Sequence, residues 1–314
     1  FITVNKEPED EGFNRTFGAD INLTLLKYLY IDSFYLTTEI QGSSADGEAG
    51  YFKTRWLDEF WDFYISRLDV DDDFNPEVGF VKRTGIKENI GFIKMKPRPE
   101  KSSVRQYSIY TRLNYTTDQE DRLVTRSLRL GFATEFHSAD SFEIAYQRDF
   151  DKLDEDFTLR TGLVIPTGGY SFDSLSLNVS TDRSRPLSGD FSISKGGYYN
   201  GDITSYDASL NYRATKGIRV SPGFTRSEID LPGGRFVANL INAGLEYSLS
   251  PRAFFNALLQ WNDDTDEFLM NLRFNYEYRP GSDIYIVYNE RRDTDGKGIT
   301  DHSLLLKFTY LWNI

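Results

Sequence analysis

An alternation of apolar and polar side chains constrains the fold of this chain more than any other feature. In segment 270–279 the apolar series is Met270, Leu272, Phe274, Tyr276 and Tyr278, and the polar series is Asn271, Arg273, Asn275, Glu277 and Arg279. Successive side chains of a β-strand point to opposite faces, so this segment presents one apolar and one polar face. The pattern recurs in 17–24, 128–135, 237–247, 253–261 and 304–312, and no helical period is sustained. The sequence therefore predicts an all-β fold.

Composition indicates where such strands lie. Hydrophobic residues make up 39% of the 314 residues and aromatic residues 15%, yet the mean hydropathy is -0.49. A wall one residue thick, with lipid on one side and water on the other, averages to such a value. Since no apolar run reaches the roughly 18 residues of a membrane helix, we predict a transmembrane antiparallel up-and-down β-barrel. It would lie in the outer membrane of a Gram-negative bacterium.

The connections between strands give a second signal. Counted back from the C-terminus, two kinds of connection alternate along the chain. Short connections, predicted to face the periplasm, are Arg279–Ser282, Leu249–Arg252 and Ala214–Gly217. Longer or acidic connections, predicted to face outside, are Arg292–Asp301, Asn262–Glu267 and Glu228–Gly234. The count gives about 17 strands after Asn14, if Val78–Lys82 and Ile90–Met95 are separate strands. Phe1–Asn5 would be the stub of another. We predict roughly 16 to 18 strands in a single domain, residues 1–314, which we expect to be a C-terminal fragment.

Several motifs resemble an uncharacterised outer-membrane family that joins an N-terminal carbohydrate-binding module, similar to family 9 modules, to a C-terminal β-barrel. The residues that carry the resemblance are Phe74–Arg83, Arg98–Pro99, Ile165–Tyr170, Asp230–Phe236, Leu259–Asn262 and Arg279–Tyr285. They span the chain from near Asn14 to its end and resemble the barrel half. The resemblance implies that the full protein handles glycans or lies beside glycan-handling machinery. It implies no catalytic residues.

Charged residues in the polar phase of the strands are candidates for the barrel lumen. They are Arg112, Arg129, Glu135, Glu246, Arg273, Glu277 and Lys307. Opposed charges in a wide pore create a transverse field that orients polar solutes. The alternative is that they pair and hold the lumen or a plug in place. The tryptophans are expected in interfacial girdles, with a sugar-stacking platform as the alternative: Trp56, Trp61, Trp261 and Trp312.

Two acid clusters and one histidine are the remaining chemical candidates. The first cluster is Asp69, Asp71, Asp72 and Asp73, and the second is Asp293, Asp295, Gly296 and Asp301, which loosely resembles a calcium loop. Both lack the full ligand spacing of such a loop. Solvated loops are the simpler interpretation, and a weak site for calcium or a lipopolysaccharide-linked cation is the sharper one. His302 follows Asp301 at the outer end of the last strand and could form a water-activating pair. A solvated junction is the simpler interpretation there too.

These observations favour a non-enzymatic barrel that is a pore or an anchor for polar solutes, with oligosaccharides as the solute class that the resemblance suggests. The expected partners are outer-membrane lipid and lipopolysaccharide, polar solutes or glycans, and envelope proteins. The net charge of -12 argues against nucleic acid. Two alternatives stay open: an outer-membrane hydrolase with a rim site near His302, and a structural subunit of an envelope complex. No cofactor is expected beyond weakly bound calcium.

Overall fold

The computed structural model describes residues 1–7, 12–42, 46–77, 79–160, 162–215, 217–296 and 298–312. Within these ranges the chain forms twenty β-strands and no α-helix. Eighteen strands belong to one antiparallel sheet, in which β9 pairs with β12, and β10 and β11 form a hairpin of their own. Accordingly, no described helix could span a bilayer. The fold class is the predicted one, and 18 strands is the upper end of the predicted range.

The strand bounds fall into two series. The first is β1 Ile2–Lys6, β2 Asn14–Leu25, β3 Leu29–Ile40, β4 Gly47–Leu57, β5 Trp61–Val70, β6 Ile86–Met95, β7 Val104–Thr117, β8 Leu123–Phe136, β9 Ser141–Leu153, β10 Phe157–Arg160 and β11 Leu163–Ile165. The second is β12 Gly168–Ser180, β13 Leu187–Tyr198, β14 Gly201–Thr215, β15 Ile218–Leu231, β16 Gly234–Ser250, β17 Ala253–Asn262, β18 Glu267–Arg279, β19 Ser282–Asp293 and β20 Gly298–Phe308.

The chain divides into two compact units. The first unit consists of Phe1–Glu135 and Ile144–Leu175, and the second of Phe136–Glu143 and Ser176–Ile314. The first unit thus holds β1 to β7, β10 and β11 whole, and the second holds β13 to β20 whole.

Strand register gives the first unit two distinct faces. Phe52 pairs with Ser33 and Arg67, and Ile93 pairs with Phe63. Residues that pair in register lie on the same face of the sheet. The exposed apolar side chains of this face are Phe17, Ile21, Tyr35, Phe52, Phe63, Ile65 and Ile93. We call it the apolar face and the opposite side the polar face.

The second unit repeats this arrangement with greater regularity. Leu272 pairs with Ala257 on one side and Tyr288 on the other, and Tyr288 pairs with Leu304. The apolar series of neighbouring strands therefore lies on one face, as the alternation predicts. On its polar face, hydrogen bonds link Asn271 to Asn289 and Asn289 to Ser303.

One predicted strand is wrong. β6 begins at Ile86 and residues 79–82 form no strand, while Val78 lies outside the described residues. The physical reason is that this segment leaves the sheet and packs on its polar face, where Phe74 and Val81 join an apolar cluster. Ile86–Met95 is consequently one continuous strand instead of a turn followed by a shorter strand.

The last strand is shorter than predicted. β20 ends at Phe308, and Tyr310 and Trp312 lie beyond it. Thr309 still exchanges backbone hydrogen bonds with Asp283, at 2.8 and 3.2 Å. The partner strand begins at Ser282, whose hydroxyl accepts a hydrogen bond from the Leu311 amide at 2.9 Å. No partner backbone remains in β19 beyond that point, so the ladder ends.

Connection lengths agree with the prediction only in part. The turns predicted at Ala214–Gly217, Leu249–Arg252 and Arg279–Ser282 are confirmed. Connections 199–200 and 232–233, at the opposite strand ends, are equally short. The predicted length contrast therefore fails in the second unit at 232–233, because β15 and β16 continue into residues that the sequence suggested were loop, whereas the predicted outer connection 263–266 is longer than the two-residue turns. It holds in the first unit for 71–85 against 26–28 and 58–60.

Candidate functional site: a loop docked on the polar face

Residues 71–85, the docked loop, connect β5 to β6 and pack against the polar face of the first unit. Phe74 is only 3% exposed and lies in a buried cluster with Ala49, Val70 and Ile86. Those three residues belong to the strand phase opposite to Phe52, Ile65 and Ile93. Burial of a phenyl ring is worth about 1.5 to 3 kcal/mol. An apolar anchor therefore holds the loop where a purely polar surface was predicted.

Hydrogen bonds to neighbouring strands fix the backbone of the docked loop. Asp71 donates its amide to the Glu48 carbonyl at 3.0 Å, and the Asp71 carboxylate accepts the Glu48 amide at 3.1 Å. Asn75 donates its amide to the Thr38 hydroxyl at 3.4 Å. The Asn75 carbonyl accepts from the Asn14 side chain at 2.8 Å. Since Thr38 and Asn14 are buried, these bonds are shielded from competing water.

Gly47 is needed for the close approach of the loop to β4. A Cβ at this position would lie 2.4 Å from both the Cα and the amide nitrogen of Phe74. No real side-chain carbon comes so near to backbone atoms, so a larger residue would push the loop off the sheet. Gly47 thus couples the start of β4 to the position of Phe74.

A cavity of about 650 Å³ lies between the docked loop and the polar face. This volume is in the range of small-molecule sites. Its apolar lining includes Phe34, Leu36, Leu68, Phe80 and Val81, and its charged lining consists of Lys82, Arg83 and Glu88. Phe80 is 91% exposed, in contrast to Phe74. The loop therefore presents two exposed cations and one exposed ring beside the cavity.

Five aromatic rings on the polar face follow five successive strands, β3 to β7. We call them the aromatic row: Phe34, Tyr51, Tyr64, Phe92 and Tyr110. Phe34 and Tyr51 stack with ring centroids 5.5 Å apart. Tyr64 and Phe92 stack at 5.1 Å, and Phe92 lies 6.4 Å from Tyr110. All five rings are half-buried. Because Phe34 also lines the cavity, the row begins beside the docked loop.

Charged side chains flank the aromatic row. The Lys53 ammonium lies 4.9 Å from the centroid of the Tyr64 ring. On the same face, Arg55 donates two hydrogen bonds to the Asp62 carboxylate at 2.8 and 2.7 Å. Arg129 donates to the Tyr110 hydroxyl at 3.1 Å. Donors and acceptors thus lie along a surface of aromatic rings.

The lumen candidates of the first unit occupy different settings. Arg112 pairs in register with Phe92 and donates to Asn114 at 3.0 Å. Arg112 and Arg129 therefore lie beside the aromatic row. Glu135 instead pairs with Arg105 at 2.9 Å near the strand ends.

The lumen candidates of the second unit do not form one cluster. Glu246 pairs with Arg219 at 3.1 Å, and Glu277 accepts the Gly281 amide at 3.1 Å in a turn. Arg273 lies in register between Asn256 and Val287, and Lys307 lies opposite Tyr285. That these residues face a water-filled lumen stays a prediction.

Carboxylates of both acidic clusters accept hydrogen bonds from nearby residues. Asp69 accepts from Arg67 at 3.0 Å, and the Asp71 carboxylate holds the Glu48 amide. The Asp293 carboxylate accepts the Asp295 amide at 2.9 Å. In the part of the chain that the structure describes, no three His, Asp or Glu side chains converge as metal ligands. Calcium binding by Asp69, Asp71, Asp73, Asp293 or Asp295 stays a prediction.

Asp301 and His302, the candidate rim pair, are neighbouring residues of β20. Asp301 lies opposite Arg291 and His302 lies opposite Glu290 on β19. Neighbouring residues of a strand point to opposite faces, so the carboxylate cannot orient the imidazole. A solvated strand junction, the interpretation favoured from the sequence, stays the simpler one, and the water-activating pair stays untested.

Sequence reasoning missed both the docked loop and the aromatic row. Phe74 begins a motif that carries the family resemblance, but nothing in the sequence indicated that its ring is an anchor, and a strand was predicted at Val78–Lys82 of the same motif. The rings of the row are separated by long stretches of sequence and lie in the phase predicted to be polar. Only the register of β3 to β7 brings them together.

Comparison with protein-family models and with curated proteins gives no match. Solved structures do match. The siderophore receptor PirA from Pseudomonas aeruginosa is 10% identical, with a TM-score of 0.50 over 97% of this chain and 70% of the receptor. The copper transporter OprC is 11% identical, with a TM-score of 0.50 over 94% of this chain and 63% of the transporter. At such identities the likeness shows the fold, which is that of outer-membrane β-barrel receptors. Together with the exposed apolar faces, it supports an outer-membrane location.

Proposed function

We propose that this chain is a barrel wall through which polar solutes cross the outer membrane, and that the docked loop narrows the path. The observation that carries the proposal is the packing of residues 71–85 on the polar face, held by Phe74 and by partly buried hydrogen bonds. A loop on that face occupies space that a solute would use. The similar structures are a siderophore receptor and a copper transporter, both proteins that handle small solutes.

The lining of the proposed path suggests its preference. Lys82 and Arg83 are exposed on the docked loop, and neither has a hydrogen bond or ion pair among the described residues. They place positive charge at the constriction of a chain whose net charge is -12. Ions of the opposite sign are concentrated by such charges in a narrow pore.

The finer parts of the proposal concern the solute and the partners. We propose oligosaccharides as a solute class, since the chain resembles a family that carries a carbohydrate-binding module. Lipid and lipopolysaccharide would contact the apolar faces, which expose Ile65 and Leu304. Envelope proteins are proposed as partners of the full protein, and weakly bound calcium as an ion at the acidic connections.

Conductance of the purified chain in planar bilayers tests the proposal. We expect open channels, and we expect the variant with Lys82→Glu and Arg83→Glu to shift the reversal potential toward cation selectivity in a salt gradient. The matched control carries Lys27→Glu and Lys101→Glu, the same change of charge in exposed connections at the other strand ends. A bilayer that stays silent would overturn the proposed passage. Equal shifts in both variants would remove the docked loop from the path.

A further inference from the structure

We infer that the aromatic row is a binding track for oligosaccharides, in which successive rings stack against the faces of successive sugar units. The inference rests on the proposed function, because the track lies on the face assigned to the solute path. It goes further by assigning the sugar contacts to Phe34, Tyr51, Tyr64, Phe92 and Tyr110.

The geometry of the row is the first support. The ring centroids of the three contacting pairs, Phe34–Tyr51, Tyr64–Phe92 and Phe92–Tyr110, lie 5.1 to 6.4 Å apart. Each of the five rings comes from a different strand, from β3 to β7 in order. The row consists of two groups, Phe34 with Tyr51 beside the cavity, and Tyr64 with Phe92 and Tyr110 further along the strands. Tyr51 and Tyr64 are four register positions apart, and Lys53 lies between them. A linear oligosaccharide can lie across these strands, and as it moves each sugar unit can leave one aromatic ring and contact another.

The setting of the rings is the second support. An aromatic ring that packs only to stabilise a protein is usually buried, as Phe74 is at 3% exposure. The rings of the row are only half-buried on the polar face, so part of each ring stays accessible. Apolar area that stays in water gains nothing from the hydrophobic effect. A ligand with an apolar face would gain that free energy on binding.

The chemistry of the flanking groups specifies the ligand class. A sugar ring has apolar C–H faces and a rim of hydroxyl groups that both donate and accept hydrogen bonds. The aromatic faces match the C–H faces. The Lys53 ammonium can donate to the hydroxyls, and the phenol groups of Tyr51 and Tyr64 can both donate and accept. A neutral polymer without rings, such as polyethylene glycol, offers only the size and not the stacking surface.

The test uses channel current in planar bilayers with neutral oligosaccharides as probes. Maltohexaose and cellohexaose, each added to the wild-type chain, are the sugar probes, and polyethylene glycol of similar mass is the size control. We expect at least one sugar to interrupt the current at concentrations at which the polymer does not. Replacement of both Tyr64 and Phe92 by Ala should lower the association constant of that sugar about tenfold or more, if stacking carries the affinity.

Two further variants keep the test decisive. Tyr35→Ala removes an aromatic ring from the apolar face of β3, where the side chain is 50% exposed, and should leave the sugar block unchanged. Tyr64→Phe keeps the ring and should retain most of the affinity, which also separates stacking from misfolding of the double variant. Channels that conduct ions but respond equally to sugars and polymer would overturn the track and leave the proposed passage standing. Absence of any channel would instead overturn the proposed passage itself.

Discussion

In the first unit, residues 71–85 leave the sheet between β5 and β6 and pack back onto its polar face, whereas in the second unit residues 232–233 join β15 to β16 as a tight turn. The first polar face accordingly carries a buried apolar cluster, a cavity and a row of aromatic rings. The second carries linked Asn and Ser side chains. Both units expose an apolar face. The difference shows that the membrane constrains one side of such a sheet, while the other side is available for specialisation.

The strongest effect that we expect concerns the membrane topology, that is, which strand ends face outside the cell. A tag inserted at Asp264 or Asp295, in the acidic connections of the second unit, should be labelled on intact cells. A tag at Pro251 or Gly281 should be labelled only after the outer membrane is opened. The reverse pattern would place the docked loop at the periplasmic end, since connections 71–85 and 263–266 have the same parity along the chain.

Removal of the anchor should release the docked loop of the first unit. Phe74→Ala deletes a ring that is 3% exposed, and such truncations cost about 3 to 5 kcal/mol in well-packed sites. We expect this loss to appear as faster hydrogen exchange and protease cleavage at residues 79–83, with the strands of the second unit unaffected.

Phe80→Ala is the matched control for that variant, because its ring is 91% exposed. It removes the same atoms from the same loop without opening a cavity. Equal protease sensitivity of the two variants would show that Phe74 does not hold the loop.

The regular faces of the second unit predict a contrast between neighbouring residues. Leu272→Arg places a charge on the apolar face and should cost about 2 to 4 kcal/mol near the middle of the membrane. Arg273→Leu changes the polar face and should be tolerated far better. The folded fraction is measured by the mobility of unheated samples on a gel, and equal loss of the folded band in both variants would contradict the face assignment.

A smaller effect is expected at the turn between β8 and β9. Hydrogen bonds from the Arg185 side chain, the Ser138 hydroxyl and the Asp182 amide lower the pKa of Asp140 to about 2. Because the folded-state pKa lies below the unfolded value of about 3.9, the stabilisation is present above that value and is lost as the pH falls through about 2. Arg185→Ala should raise the pKa of Asp140, as measured from its carboxyl carbon shift by NMR. An unchanged titration midpoint would remove Arg185 as the main cause.

Much of the fold follows from the sequence alone. In 253–261 and 270–279 the alternation fixes which side chains share a face, because the two-residue period of a strand is a local property of the backbone. The tight turns at 251–252 and 280–281 were predictable for the same reason, since they interrupt that period with Pro, Gly and charged residues. The class of fold therefore needed no knowledge of distant contacts.

The candidate site was decided by the tertiary structure. Residues 79–82 have the composition of a strand, and they are kept out of the sheet by contacts that their own sequence does not reveal: the anchoring of Phe74 and the space that Gly47 leaves for it. Phe34 and Tyr110 belong to one row only because the register of five strands aligns their faces. Local periodicity determines the side of the sheet on which a residue lies. The neighbours it meets there depend on register and loop packing, which are properties of the whole fold.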